Sequence, residues 1–221
     1  MTVAENCSIV GNKLPLIVVS HGRAGWFGGH HSTAAAIADA GFVVAAISHP
    51  GDNMVDRSRV DDVSVLAERP VDVRRLVDFM PAAYVDAPKL DKERIGFFGF
   101  SMGGYTGLVV LGAVPVFPVE SPRGVRAPIQ LWSSDPQLGS SFVSGCCSIG
   151  INGRLPAPPG YHLVTNAIHF SFLPPCSATE SKRFPRICTD APGFDRAAFH
   201  KDFEKEIIAF LRKHLPEQVK R

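Results

Sequence analysis

The sequence predicts an α/β protein with a mostly parallel, doubly wound sheet and helices on both faces. Five short apolar runs are continuous rather than alternating, which is typical of strands that are covered on both faces of a sheet. These runs are Leu14–Ser20, Phe42–Ser48, Arg94–Phe100, Ala127–Ser133 and Tyr161–Thr165. Helical stretches lie between them, and this alternation implies right-handed crossovers. A chain of 221 residues with no recognisable linker fits one domain, which we expect to span residues 1–221.

Several of the predicted helices carry their own start and end signals. Ser32 is placed to cap an alanine-rich helix. The stretch Arg69–Met80 collects apolar residues on one face, and Met102–Leu111 directly follows the third predicted strand. The last helix is the clearest, because Asp195 can cap it, an apolar stripe runs along it and Pro216 stops it.

Composition and charge exclude several classes of protein. The formal net charge is only +2, so no large basic field predicts nucleic-acid binding. No apolar run approaches the ~18 residues of a membrane helix, so we expect no membrane span. The residues before Asn12 lack a basic start followed by an apolar stretch, so no secretory signal is recognisable. The five cysteines include no C-x-x-C pair, and we expect no metal site.

Residues 99–103 read Gly-Phe-Ser-Met-Gly, which matches the G-x-S-x-G pattern and makes Ser101 the candidate nucleophile. A buried strand precedes the pattern and a helix can begin after it, which is the setting in which such a serine is exposed at a strained turn. The glycines let strand and helix come close, and the Met102 N–H can stabilise an oxyanion at the helix start. The alternative is a glycine-rich turn with a capping serine.

A serine hydroxyl needs a base to activate it, and the base needs an acid that orients it. On a sheet with such an elbow, the acid and then the histidine follow the serine, each on a loop after a strand. Asp135 follows the fourth predicted strand and His169 follows the fifth, so we predict the triad Ser101, Asp135 and His169. Glu120 is the main rival acid, although it does not follow a predicted strand that would position it. The rival histidines lie within a strand, on the last helix or before the serine: His162, His200, His214 and His49.

The loop after the first predicted strand is expected to supply the second oxyanion donor. It reads Ser-His-Gly-Arg-Ala-Gly from residue 20, and the Arg23 N–H is the best-placed donor. For the histidine in this loop, we favour a structural role in which its ring bonds neighbouring loops over direct catalysis. Residues beside the elbow and at the strand ends are predicted to contact the substrate: His21, Gly22, His49, Phe100 and Phe170.

At these residues the chain resembles the dienelactone hydrolase-like serine hydrolases, in the branch that is also similar to platelet-activating-factor acetylhydrolases. The matching stretches are 15–22, 41–45 with 49–53, 94–105, 167–173 and 190–196, which together span most of the chain. The resemblance implies an α/β-hydrolase fold. Dienelactone hydrolases proper use a cysteine at the elbow, so Ser101 points to the serine esterase side of the group. Relatives often carry a polar residue where Phe100 stands.

The chain is shorter than the family pattern in two places. Few residues precede Pro15, where the family has an antiparallel pair of strands. Only the stretch Met102–Arg126 separates Ser101 from the strand at Ala127, where a full hydrolase has a helix, a strand and another helix. We therefore expect a reduced sheet with a minimal cap. Because a reduced sheet leaves an edge exposed, a homodimer through that edge is a hypothesis.

The resemblance also bears on the compartment. Family members often lie in the periplasm, where Cys176 and Cys188 could bridge a short loop; the alternative is two free thiols in a cytoplasmic enzyme. Without a recognisable signal we expect a cytoplasmic protein, or a periplasmic or secreted one if a signal has been removed.

Motif and resemblance together imply a serine hydrolase that cleaves carboxylic esters or lactones through an acyl-enzyme on Ser101, with no metal or organic cofactor. A minimal cap predicts an open pocket for small or flexible acyl substrates. Cyclic esters such as dienelactones or acyl-homoserine lactones are candidates by analogy with the family only. Two alternatives stay open: a non-catalytic binding protein on a hydrolase scaffold, and a peptidase that uses the same triad.

Overall fold

Three of the predicted strands form a parallel sheet in a computed structural model, which describes residues 4–113, 125–138 and 155–217. β1 (Leu14–Ser20) lies in the centre, between β2 (Val43–Ile47) and β3 (Leu90–Gly99). Both pairings are parallel, and the β1–β3 register shifts between Pro15 and Leu16. β3 begins at Leu90 rather than Arg94, because its first residues pair with the start of β1 before that shift.

The last two strands form a second parallel pair. β4 (Gln130–Ser134) and β5 (Gly160–Val164) lie side by side in register, with Gln130 opposite Gly160. Within the described ranges, no hydrogen-bonded ladder joins this pair to the three-stranded sheet. The stretch 112–126, on which the prediction of a reduced sheet depends, lies largely outside the described residues, as does Glu120.

The helices follow the predicted order with some shifted ends. They are α1 (His31–Asp39), α2 (Val65–Ala82), α3 (Met102–Val110), α4 (Ala178–Arg183), α5 (Pro185–Cys188) and α6 (Arg196–His214). The prediction that Ser32 caps α1 is wrong, because the helix begins at His31 and Ser32 lies within its first turn. Asp195 does cap α6, since its carboxylate accepts the Ala198 N–H at 2.9 Å.

Two apolar clusters cover the two faces of the three-stranded sheet. On one face, Ile17 of β1 packs with Ile37 of α1 and with Phe203 of α6. On the other face, Leu16 of β1 packs with Met80 of α2. Neighbouring residues of one strand therefore bury opposite faces, as the pleat requires, and the helices lie on both sides of the sheet as predicted. In the described ranges, no helix combines the length and apolar character that crossing a membrane requires.

Candidate active site

Ser101 occupies a sharp turn between β3 and α3. Its backbone has φ 55° and ψ −117°, a left-handed region that non-glycine residues rarely adopt. Such a conformation costs on the order of 1–3 kcal/mol and persists only where the surroundings enforce it. The surroundings here are close backbone contacts, because a Cβ at Gly99 would clash with the Gly103 carbonyl and a Cβ at Gly103 would clash with the Ser20 carbonyl. Gly99 therefore lets the strand and helix of the elbow come close to each other, and Gly103 lets the elbow approach the end of β1.

The start of α3 presents a backbone donor beside this serine. The N–H groups of Gly103 and Gly104 donate to the carbonyls of Phe100 and Ser101, at 2.8 and 2.9 Å. Among the backbone hydrogen bonds of turns and caps in the described residues, none uses the Met102 N–H. That group therefore remains available at a helix N-terminus, where developing negative charge is stabilised.

Gly22, in the loop after β1, lies directly against the elbow. A Cβ at this position would be 3.2 Å from the Ser101 Cβ and 3.0 Å from the Phe100 ring. The Gly22–Arg23 backbone therefore passes beside the candidate nucleophile, where the second oxyanion donor was predicted. The Arg23 side chain leaves this region, since it bonds the Val60 carbonyl and the Asp61 carboxylate.

His169 lies in a short 3₁₀ turn, His169–Phe172, that follows β5. Its ring packs on Phe100, the residue before the candidate nucleophile, with centroids 4.7 Å apart, and it also touches Phe170. Burial lowers the pKa of His169 below the usual 6.5, so the ring is neutral at neutral pH. A neutral imidazole beside the elbow is the state that a general base requires.

Asp135 follows β4 and is fixed to the segment that leads to the histidine. Its carboxylate accepts the N–H groups of Asn166 at 3.0 Å and Gln137 at 2.9 Å, and its own N–H donates to the Ala167 carbonyl. The hydrogen bond from Asn166, followed by that from Gln137, lowers the pKa of Asp135, so the carboxylate is charged. Asp135 and His169 are thereby held on adjoining loops.

The three predicted triad residues follow successive strands of the fold, but in the described part of the chain their side chains are not hydrogen-bonded to one another. Ser101, Asp135 and His169 follow β3, β4 and β5 in the predicted order. Among the described residues, no hydrogen bond joins these three side chains to one another. Catalytic hydrogen bonds are often long in unliganded enzymes and tighten when substrate binds. The triad therefore stays a prediction.

Two predicted pocket residues lie inside the protein. His21 is 2% exposed and His49 is 0% exposed, so the structure places neither ring on an open pocket wall. His21 bonds the Gly22 carbonyl through Nδ1 at 2.6 Å and accepts the His49 N–H on Nε2 at 3.2 Å. This is the structural role that we favoured for His21. Phe100 and Phe170 are partly exposed beside His169.

Sequence reasoning missed the buried polar network beneath this site. Ser20 Oγ bonds His49 Nε2 at 2.9 Å, His49 Nδ1 bonds Asp72 at 3.2 Å, and Arg69 pairs with Asp52 at 2.9 Å. One signal could have found it. Arg69 stands on the apolar stripe of α2, four residues after one buried valine and four before another, where a solvated arginine is not expected.

Within the described ranges, no group of three or more His, Cys, Asp or Glu side chains is arranged to hold a metal ion. The structure does join Cys176 and Cys188 in a disulfide, the pairing that the resemblance had left open.

No protein-family model and no curated protein matches the chain. Among solved structures, the chain is similar to the ferulic acid esterase from Streptomyces cinnamoneus, with a TM-score of 0.69. The similarity covers 94% of this chain and 69% of that one, at 17% sequence identity. At such an identity the likeness shows the fold alone, and the resemblance to the dienelactone hydrolase branch stays a prediction. The predicted fold class is confirmed: the chain has an α/β-hydrolase-type fold.

Proposed function

We propose that this protein is a serine hydrolase that cleaves carboxylic esters through an acyl-enzyme on Ser101. The observation that carries the proposal is the strained backbone of Ser101 at a strand–turn–helix junction, flanked by two glycines at which a Cβ would clash with backbone atoms. A serine held in this way presents its hydroxyl above the sheet and beside free backbone donors. A capping serine in an ordinary turn needs no such strain.

The proposed mechanism assigns one step to each group. Ser101 Oγ attacks the ester carbonyl while His169 takes its proton, and the imidazolium that forms is stabilised by Asp135. The Met102 and Arg23 N–H groups bind the oxyanion, each worth roughly 3 kcal/mol in comparable enzymes. His169 returns the proton to the leaving alcohol, and water activated by the same ring then releases the acid. No metal or organic cofactor takes part.

The rings around the elbow support a proposal for the substrate class. Phe100, His169 and Phe170 form a continuous series of ring contacts beside Ser101. Such a wall favours flat or apolar acyl groups over charged ones. The name of the similar structure, a ferulic acid esterase, agrees with an aromatic acyl group. Lactones, including dienelactones and acyl-homoserine lactones, are the second class to test.

The nucleophile can be identified with a built-in control. The chain contains a second Ser–His–Asp series, Ser20–His49–Asp72, but its serine and histidine are both 0% exposed. A fluorophosphonate probe, mapped by mass spectrometry, is expected to label Ser101 in the wild type and in Ser20→Ala, and to leave Ser101→Ala unlabelled. Hydrolysis of p-nitrophenyl butyrate is expected to fall at least ~10³-fold in Ser101→Ala.

Other results would contradict the proposal in separate ways. Labelling at Ser20 would reassign the nucleophile. A well-folded wild type that takes up no probe would support a non-catalytic binding protein. Cleavage of peptides in preference to methyl ferulate, butyrate esters and lactones, with the Ser101→Ala variant as blank, would support a peptidase.

A further inference from the structure

A buried ion pair lies beneath the loop that passes the candidate nucleophile. The Asp52 and Arg69 side chains are each 1% exposed, with 2.9 Å between Nη1 and Oδ2. Each partner also holds the loop backbone. Arg69 Nη2 donates to the His21 carbonyl, and Asp52 Oδ1 accepts the Ala24 N–H at 2.7 Å. The pair is therefore hydrogen-bonded to the loop backbone on both sides of Gly22 and Arg23.

This loop does not hold its shape by local preference alone. Ala24 has φ 54°, a left-handed conformation that costs a residue with a Cβ about 1–2 kcal/mol. Within the loop, the Gly25 N–H donates to the Gly22 carbonyl at 3.0 Å. Contacts from distant parts of the chain complete the turn. The Met54 N–H donates to the Gly25 carbonyl at 2.7 Å, and the Arg23 side chain is bound outside the loop. Asp52 and Arg69 hold the backbone on either side of Gly22 and Arg23, and we expect that stretch to lose its fixed distance from Ser101 when the pair is broken.

A second set of hydrogen bonds reaches Arg69 through Asp72, His49 and Ser20. Burial, with smaller contributions from the charges of Arg69 and His21, lowers the pKa of His49 to about 2, so its ring is neutral. Its Nδ1–H then donates to Asp72, and its Nε2 accepts the Ser20 hydroxyl. The Ser20 oxygen is left to accept from Arg69 Nη2, at 3.5 Å. The Ser20 hydroxyl thus donates to His49 and accepts from Arg69, which gives the guanidinium a third partner beside Asp52 and the His21 carbonyl.

Burial lowers the pKa of Arg69 to about 10 against the opposing attraction of Asp52, so the guanidinium is charged at neutral pH. Fold stability alone does not call for such a pair, because apolar residues of similar volume are often as stabilising or more so. What apolar residues cannot supply is a donor for the His21 carbonyl and an acceptor for the Ala24 N–H.

We propose that Asp52 and Arg69 are positioning residues for the oxyanion site: they hold the Gly22–Arg23 backbone at the elbow so that the Arg23 N–H faces the reacting carbonyl. This inference rests on the proposed function. The pair touches neither the substrate nor Ser101. Its effect is therefore expected in the transition state, where the oxyanion forms, and not in substrate binding.

The test uses a charge-neutral double variant, Asp52→Asn with Arg69→Met. It leaves no unpaired buried charge and keeps an acceptor for the Ala24 N–H, but it removes the donor to the His21 carbonyl. The matched control is Asp91→Asn with Arg94→Met, because that pair lies at the opposite end of β1 and holds the Lys13 carbonyl in the same way. Active sites are counted by fluorophosphonate labelling before each rate is measured.

We expect kcat per labelled site to fall roughly 10–100-fold in the Asp52/Arg69 variant, with KM within about twofold of the wild type. The affinity for a trifluoromethyl ketone, which forms an oxyanion on the serine, is expected to fall in parallel with kcat/KM. The control variant is expected to keep kcat per labelled site and the affinity for the ketone within about twofold of the wild type. A merely structural role would lower the labelled fraction and leave the rate per labelled site unchanged, and that result would overturn the inference.

Two further outcomes are distinguishable. A wild type with neither labelling nor hydrolysis refutes the proposed function, and the inference falls with it; an active wild type with a normal double variant refutes the inference alone. If the double variant does not fold, Arg69→Lys replaces it. Lysine keeps the charge opposite Asp52 but cannot reach Asp52, Ser20 and the His21 carbonyl together. An unchanged kcat per labelled site in Arg69→Lys would then overturn the inference.

Discussion

At each end of the central strand β1, an arginine pairs with an aspartate and donates to a backbone carbonyl, and the two pairs differ in burial. Before the strand, Arg94 pairs with Asp91 at 2.8 Å and donates to the Lys13 carbonyl. After the strand, Arg69 pairs with Asp52 at 2.9 Å and donates to the His21 carbonyl. The first pair is 10% exposed on each side chain and the second only 1%.

The difference in burial suits the two pairs to different roles: the Arg94–Asp91 pair holds the start of a strand, and the Asp52–Arg69 pair lies beneath the candidate active site. Water can replace part of what the Arg94–Asp91 pair supplies, because the pair reaches the surface. The Asp52–Arg69 pair is almost fully buried and lies under the loop that passes Ser101, where Gly22 contacts the elbow. A low local dielectric strengthens each of its hydrogen bonds and raises the cost of losing one partner. We therefore expect the two pairs to respond differently when they are broken.

The largest expected effect is on stability when one charge is left alone. Asp52→Ala leaves the Arg69 guanidinium buried and unpaired, which is expected to lower the free energy of unfolding by about 3–5 kcal/mol. Asp91→Ala exposes Arg94 to solvent, so we expect a loss of about 1–2 kcal/mol. Urea denaturation of the two variants and the wild type measures both values. Equal losses at the two ends would show that burial does not distinguish the pairs.

Another Arg–Asp pair lies beside the loop of His169. Asp190 pairs with Arg196 and accepts the Ser171 hydroxyl at 2.6 Å, and the Cys176–Cys188 disulfide closes the chain just before it. The bridged residues are 12 apart, so the chain-entropy model predicts that Cys176→Ser with Cys188→Ser costs about 3 kcal/mol. Thermal unfolding with and without reductant measures this. A reductant effect that persists in the double serine variant would exclude the disulfide as its source.

The pH dependence of kcat/KM tests whether the Asp52–Arg69 pair acts by geometry. A base must be neutral, and burial lowers the pKa of His169, so the acid limb of the wild type is expected below pH 6.5. Because burial is the cause of this shift, the charge-neutral Asp52/Arg69 variant is expected to keep the limb within ~0.3 pH units. A limb that moves further would show that the pair acts through the charge state of His169.

The smallest expected effect concerns the amino end of β1 in acid. The hydrogen bond from Arg94 is the largest cause that lowers the pKa of Asp91. A depressed native pKa contributes stability that is present above the unfolded value near 3.8 and is lost as pH falls through the native value. Asp91→Asn is therefore expected to lose less stability than the wild type between pH 5 and pH 2, by ~1 kcal/mol or less. Parallel stability curves for the two proteins would contradict this.

Patterns within a few residues predicted much of this molecule. Continuous apolar runs predicted the parallel strands, and β1 has the predicted bounds. The G-x-S-x-G pattern predicted a strained serine between strand and helix, because close backbone contacts at Gly99 and Gly103 depend on local geometry alone. The order of strands predicted that Asp135 and His169 would follow β4 and β5.

Only the tertiary structure decided what lies beneath the site. His49 was predicted at a substrate pocket, but the packing of α2 against the sheet buries it between Ser20 and Asp72. Asp52 and Arg69 carried no assigned role in the sequence, because the meaning of a charge depends on what surrounds it after folding. Hydrophobic period and glycine sterics are local and can be derived from sequence. The partner of a buried charge is set by which distant segments meet.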